Sequence, residues 1–512
     1  MNFFYRSLLA LLFIVSATAL HAQSIEAHYS PIANFAYQLD CVSGAARTCA
    51  GREDYRAMWK RDLGVDTENN AALKQWAALR SEFQTSGSSA RGPRNSEEAS
   101  SPRDTVDYNK RVLVAALSSV TASDYANRIA LLLPDRLAQD ARASITALYP
   151  AFDKWWQTQG ERVGSIEAKR MMTEIESPAM KQHVAEIFAF YGSPELARSP
   201  HRVALMMRPG IVETKSTSGE NFGATSLIEF FAERSLTTAA SERSQTPVII
   251  HEYVHYVLNA VPSSEFRKLR ASIAKAGGIA GTAMWNVFDE GFASALGNGR
   301  VTRTLVGAEK YAEFVQRPVS FYAVERIDTA GKALVSLADS YIGARKTIFD
   351  ATFPAAYVAA IEPKLGNALR APKNFMSEYA IIGDPALGAG STSTDAWTKE
   401  FTSRSRWGYA QKCCDAEFAT TFADHADVPR VIVIASSNTS TLASVLDISE
   451  EKIKALREAA SANGASAAML IAIPDGAQPQ IVVLAKDASA VTRAAKQFAA
   501  MPTLKEDVQS VP

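Results

Sequence analysis

Histidine is scarce in this chain, with seven residues in 512, and cysteine is scarcer still, with four. Net charge is absent as well: 54 Lys and Arg balance 54 Asp and Glu, so no overall field favours nucleic acid or an anionic membrane as partner. After the amino terminus no stretch approaches twenty apolar residues, which excludes stable membrane insertion of the mature chain. A Gly-x-Ser-x-Gly elbow is missing, so nothing argues for a covalent serine hydrolase. No internal repeat of fixed period marks a solenoid. What is present, a 47% hydrophobic composition in a long chain, suits ordinary globular cores and two or three domains.

The amino terminus has the form of an export signal. Arg6 precedes an apolar run from Leu8 to Val15, and small residues lead to Ala22, so residues 1–22 read as a cleaved signal peptide. The expected location is therefore periplasmic or secreted, with a soluble mature chain from about Gln23. Four cysteines fit that oxidising setting and permit three full pairings. Cys41 and Cys49 close a short Gly/Ala loop near the mature start and are the preferred bridge, a bond between the adjacent Cys413 and Cys414 being strained and cross-pairing of these with the first two open. A metal site from Cys413, Cys414 and His425 lacks the usual paired ligand spacing.

Hydrophobic periodicity divides the remainder. Residues 23–200 carry a 3.6-residue period around Ala71–Phe83, Tyr108–Val120, Ala126–Leu148, Phe152–Gln159 and Ala179–Tyr191, and read as a helical domain. Thr85 to Asp104, rich in Ser, Gly, Pro and charge, reads as a loop. His183 and Glu186, one turn apart, read as a solvated helix face. From His201 the pattern turns to strands, Arg202–Met207 and Ala224–Phe231, followed by helices through residue 382. An irregular linker is expected over 383–427. Residues 428–502 then form a small βαββα unit with no histidine, cysteine or phosphate-binding loop, best read as an accessory module.

Within the central region stands His251-Glu252-Tyr253-Val254-His255, an HExxH pentapeptide. Residues four apart share one helix face, so the two imidazoles can converge on one cation, while Glu252 is turned aside to serve as general base. Thr246 as N-cap, Pro247 in the first turn and Pro262 as stop delimit the helix. Apolar Val248, Ile249, Ile250, Val254, Val257 and Leu258 bury it, and buried imidazoles need partners. A catalytic zinc takes three protein ligands and keeps one open position. The third ligand expected here is Glu290, in a helix over Ala283–Leu296 that Thr282 caps and Gly297-Asn298-Gly299 ends; before it Ser263 and Ser264 open another helix, Glu265–Ala276, that Gly277 and Gly278 close. Small Gly291, Ala293 and Ser294 allow close helix approach, and Ser294 is placed to hydrogen-bond a ligand histidine.

HEYVH, followed by Trp285 and then Asp289-Glu290-Gly291-Phe292-Ala293-Ser294, resembles the gluzincin zinc metallopeptidases, closest to the zinc aminopeptidase-like branch. The resemblance covers about Arg202 to Gly343. It implies an α+β, mainly helical fold with a zincin-like catalytic core, namely a small sheet, an active-site helix and a helical subdomain over 201–382. It also implies zinc (Zn2+) held by His251, His255 and Glu290, with Glu252 as general base, acting on a peptide or protein substrate. The same resemblance calls for an oxyanion-stabilising Tyr or His, for which Tyr322 is nearest upstream of the Thr329–Leu337 helix and Tyr341 nearest downstream; Tyr322 is taken as the candidate. Three features depart from the pattern. Thirty-four residues separate His255 from Glu290, a longer interval than in the closest relatives, which implies an inserted helical excursion. Asp289 replaces the usual Asn. Gly223–Leu227, read as the edge strand facing substrate, lacks the Met-Glu-Asn segment that holds a free amino terminus. The expected activity is hydrolysis of peptide bonds; cell-wall peptide cross-links are an alternative substrate, and a secreted binding protein with a structural zinc site is an alternative class. Oligomeric state is not legible.

Overall fold

The computed structural model describes residues 24–45, 49, 51–89, 108–192, 200–211, 219–221, 224–233, 245–372, 376, 379–387, 391–401, 428–436, 446, 448–472 and 478–512. These residues are mainly helical with two small sheets. In chain order they form β1 (Ile25–His28), α1 (Pro31–Ser43), α2 (Arg52–Asp62), α3 (Ala71–Ser89), α4 (Tyr108–Leu117), α5 (Ala122–Ala130), α6 (Asp135–Trp155), α7 (Glu161–Ile175) and α8 (Pro178–Phe190). Next come β2 (His201–Ile211), β3 (Gly219–Asn221), β4 (Thr225–Glu233), α9 (Thr246–Asn259), α10 (Ser263–Met284), α11 (Phe288–Ala293), α12 (Thr302–Val306), α13 (Ala308–Gln316), α14 (Glu325–Gly343) and α15 (Phe353–Leu369). The carboxy-terminal part holds β5 (Ala380–Gly383), α16 (Ser391–Phe401), β6 (Arg430–Ala435), α17 (Glu450–Ser461), β7 (Ala467–Ala472), β8 (Gln480–Ala485), α18 (Ala488–Ala500) and β9 (Asp507–Val511). Described residues 24–261 and 293–323 make one compact unit, and 262–292 with 324–512 make a second.

In the first unit the sheet runs β1-β2-β4-β3, with β1, β2 and β4 parallel and β3 antiparallel at the edge. Val203–Met207 are buried without alternation, as expected of a parallel strand covered on both faces. Helix α1 is capped by Ser30, whose hydroxyl accepts from the Ala33 amide, and has Pro31 in its first turn. Its buried Asn34 fastens it to β2: Nδ2 donates to the Leu205 carbonyl and Oδ1 accepts from the Met207 amide. A disulfide between Cys41 and Cys49, the preferred sequence pairing, ties the end of α1 to the chain before α2. Cys413, Cys414 and His425 lie outside the described residues, as do residues 1–22. Phe35, Trp59, Phe152 and Trp156 pack ring on ring beneath the sheet.

Several sequence expectations need correction here. The region 23–200 is not wholly helical, because Ile25–His28 is a strand paired in register with the start of β2. Four residues give the alternation signal too little length to register. The helix expected over Ala126–Leu148 is two, broken before Pro134, which disfavours helix at its predecessor. Thr85–Ser89, assigned to a loop, continue α3.

In the second unit α10 is one run kinked at Gly278, whose φ of 56° costs glycine little. It packs along α15, and the Tyr357 hydroxyl of α15 donates to the Met284 carbonyl at 2.7 Å. Phe288, Phe292, Phe353 and Tyr357 form the aromatic filling. The terminal sheet has five strands, β5-β6-β8-β7-β9. Alternate residues Ile432, Ile434, Val482 and Leu484 pack with Leu456 of α17. Trp397 and Phe401 of α16 pack against Phe498 of α18. The expected βαββα unit is therefore present with β5 and β9 added at its two edges, and α16 is a helix where the sequence reads as irregular linker. Among the described residues no helix is long and apolar enough to cross a membrane.

Candidate metal centre

Helix α9 begins at Thr246 with Gln245 as N-cap, so Thr246 is the first helical residue and not the cap that its sequence position suggests. Its hydroxyl is engaged elsewhere, donating to Glu174 at 2.6 Å. Pro247 occupies the first turn, and the helix ends at Asn259, before Pro262, which instead precedes α10. Ile249, Ile250, Val254, Val257 and Leu258 are fully buried, and that fixes the rotation of the helix. His251 and Glu252 are each 5% exposed, and His255 is half-buried.

The two imidazoles converge as the i, i+4 spacing requires: their Nε2 atoms lie 3.1 Å apart. Two zinc–nitrogen bonds of about 2.05 Å meeting at the tetrahedral angle would put their nitrogens about 3.3 Å apart, so this pair is already at ligand spacing. His251, His255 and Glu290 each offer one ligand atom, and these atoms lie within 4.8 Å of one another. Two imidazole nitrogens and a carboxylate oxygen are a donor set that could hold a metal ion.

Glu252 projects toward the edge strand. A Cβ built on Gly219 of β3 would meet Glu252 Oε1 and stand 2.9 Å from its Cγ, so a larger residue there would make the carboxylate move aside. Asn221, two residues on, donates from Nδ2 to the Glu252 carbonyl at 2.9 Å and to the Ser226 hydroxyl at 3.1 Å, fastening β3 to α9. Sequence reading placed the edge strand at Gly223–Leu227. In the sheet β4 is internal, flanked by β2 and β3, and the edge is Gly219–Asn221. Gly-Glu-Asn carries no apolar alternation, and only its pairing with β4 makes it a strand.

Past Glu290 the helix does not stop at Gly297-Asn298-Gly299 as the sequence suggests. It widens to a π-helical segment from Ser294 to Val301 and continues as α12 to Val306, ending at Gly307 with φ 82°. Gly297 serves contact and not termination: a Cβ on it would lie 2.5 Å from the His251 nitrogen and 2.6 Å from its Cα. Thr282, expected as a cap, is instead buried within α10. Ser294, expected to bond a ligand histidine, is fully buried, and its hydroxyl meets no hydrogen-bond partner among the described residues. The wider winding that begins at Ser294 brings a later residue, Asn298, to His251: Asn298 Nδ2 lies 3.3 Å from His251 Nδ1 and donates to the Phe321 carbonyl at 2.7 Å.

Tyr322, next in the chain, stacks its ring on His251 with centroids 5.8 Å apart and planes 20° from parallel. Tyr341, the other tyrosine weighed, bonds Thr352 and packs on Phe353.

His183 is a further correction. It is 5% exposed and not on a solvated face; its Nε2 lies 2.8 Å from the Leu296 carbonyl in the π-helical segment. Arg300 joins it, 3.3 Å from His183 Nδ1 and 2.9 Å from Glu186. A helical i, i+3 His/Glu pair carries no sign of burial, which arises here from packing against a segment more than a hundred residues away. On the far side of α9, His201 is fully buried, stacked on Tyr256 and bonded to Ser226. Burial pushes its pKa down from 6.5 to about 3, and burial likewise raises the Tyr253 hydroxyl.

No family model, curated protein or solved structure matches the chain. The site's geometry must carry the functional argument.

Proposed function

We propose that this protein is a zinc-dependent peptidase of the gluzincin kind, exported to the periplasm or exterior, with a zincin-like core. One observation carries the reading: two imidazole nitrogens already at ligand spacing, with a carboxylate oxygen from Glu290 in the same cluster. His251, His255 and Glu290 would hold the metal, which supplies Lewis acidity and a nucleophile at neutral pH. Glu252, whose carboxylate lies against Gly219 of β3, would accept a proton from the attacking water and return it to the leaving amine. Its burial beside an edge strand limits competing solvent. Tyr322 donates its hydroxyl proton in a hydrogen bond to the oxyanion of the tetrahedral intermediate. Export is supported by the Cys41–Cys49 bridge together with the amino-terminal apolar run.

The test is metal content followed by chelator-sensitive cleavage of a quenched peptide library. Glu252→Gln should keep zinc and lose about 10²–10⁴ in turnover, whereas Glu290→Ala should lose both metal and activity. A metal-loaded protein that cleaves neither peptides nor cell-wall cross-links would favour a binding protein. Full metal affinity in Glu290→Ala would remove that ligand assignment.

A further inference from the structure

Two glutamines at one end of the terminal sheet are buried with nothing to bond. Gln478 is 1% exposed and Gln480 fully buried, and among the described residues no hydrogen-bond partner meets the amide nitrogen or the amide oxygen of either. A carboxamide offers two donors and an acceptor, and withdrawing all of them from water is costly unless something else supplies partners. By contrast Asp384, at the opposite end of the same sheet, is satisfied: its carboxylate accepts from the Ala386 and Ala435 amides.

The backbone gives these side chains no retreat. Gln480 opens β8 between β6 and β7, and the Pro479 carbonyl before it accepts from the Arg430 amide at 3.0 Å. Strand register aligns Ala380 of β5, Arg430 of β6, Gln480 of β8 and Ala472 of β7 in one row across the sheet. Alternate residues share a face, so this row stands on the side where Ile432, Ile434, Val482 and Leu484 meet α17. Gln478 precedes a proline, which favours extended backbone, and two steps from Gln480 an extended chain returns to the same face. A buried guanidinium and two carboxamides are thus gathered between alanines, which take little room and add no polar side-chain atom.

We propose that this end of the terminal sheet binds a small N-acyl amino acid or short peptide through its free carboxylate and the adjoining amide. The planar fork of Arg430 matches the carboxylate, and the glutamine carboxamides donate to the C=O and accept from the N–H of the neighbouring peptide group. Alanines on both sides restrict the residue beside the carboxylate to a small one. Arg430 and both glutamines belong to the second compact unit and none is a metal-cluster residue, so binding here stands apart from the peptidase reading.

The experiment is titration calorimetry on the full mature chain, with N-acetylglycine and N-acetylalanine as probes and N-methylacetamide as the analogue lacking a carboxylate. Both probes should bind with a Kd of about 1 mM or below, and N-methylacetamide at least about tenfold more weakly. Gln478→Met and Gln480→Met keep the side-chain length and remove its polar atoms. Each should weaken N-acetylglycine binding by about tenfold or more, and raise the thermal midpoint of the ligand-free chain by about 2 °C or more, because an unsatisfied buried amide is gone. A glutamine that served only the fold would behave in the opposite way, its loss lowering the midpoint. No binding of either probe up to about 10 mM, unaltered affinity in either methionine variant, or a lowered midpoint in either would overturn the site.

Discussion

Replacing Gly297 by alanine should disable the metal centre without removing a ligand side chain. The added Cβ would stand 2.5 Å from the His251 nitrogen, 2.6 Å from its Cα and 2.8 Å from its Cβ. Ordinary contact between such atoms begins near 3.5 Å, so the two backbones must part by about 1 Å. The atoms met belong to the main chain of α9, so no side-chain rotation relieves the contact. Metal–ligand bonds tolerate only about 0.2 Å of error, and the cluster would be drawn apart by several times that. Overpacking of this kind costs about 1–3 kcal/mol of stability, and we expect zinc affinity to fall by about a hundredfold or more, equivalent to about 2.7 kcal/mol. Chelator competition reads the affinity, and urea denaturation of the metal-free protein reads the stability. Gly343→Ala is the control: it is also helical, nothing lies within 4 Å of its added Cβ, and both quantities should stay at or slightly above wild type. Wild-type zinc affinity in Gly297→Ala would refute the close packing of these two segments as the support of His251.

Two further outcomes can be checked. Gly219→Ala should push the Glu252 carboxylate from its place, lowering kcat by at least about tenfold while zinc affinity stays unchanged; an unaltered kcat would show that β3 does not confine the base. His201, with its pKa pushed down to about 3 in the fold against 6.5 unfolded, is protonated first in the unfolded chain. Stability from this group is therefore complete above about pH 6.5 and drains as pH falls toward 3, by about 2 kcal/mol at pH 5. Unfolding free energies from urea titration at pH 7 and 5 should differ by that much less in His201→Gln, and an equal difference would exclude His201 as the source.

The chain announces the His251/His255/Glu290 cluster more clearly than its architecture. HEYVH and the Glu290 block are local patterns whose spacing alone specifies a helix face, and strands such as β2 and β6 are apolar runs long enough to read. What escaped notice depends on distant partners. Strands β1 and β3 are short and polar or mixed, and become strands only through pairing with β2 and β4. The burial of His183 and the adjacency of Asn298 to His251 come from packing across more than forty residues of sequence. Gly297-Asn298-Gly299 misled for a physical reason: glycine signals both helix ends and intimate backbone contact, and nothing within the tripeptide distinguishes the two.

The stretch between the histidines and Glu290 also has a structural duty. Helix α10 lies along α15, contributing the Met284 carbonyl that the Tyr357 hydroxyl meets. Deleting that helix would strip α15 of its flank and strand a tyrosine in the interior, so any shortened form of this chain would have to rebuild the helix pair.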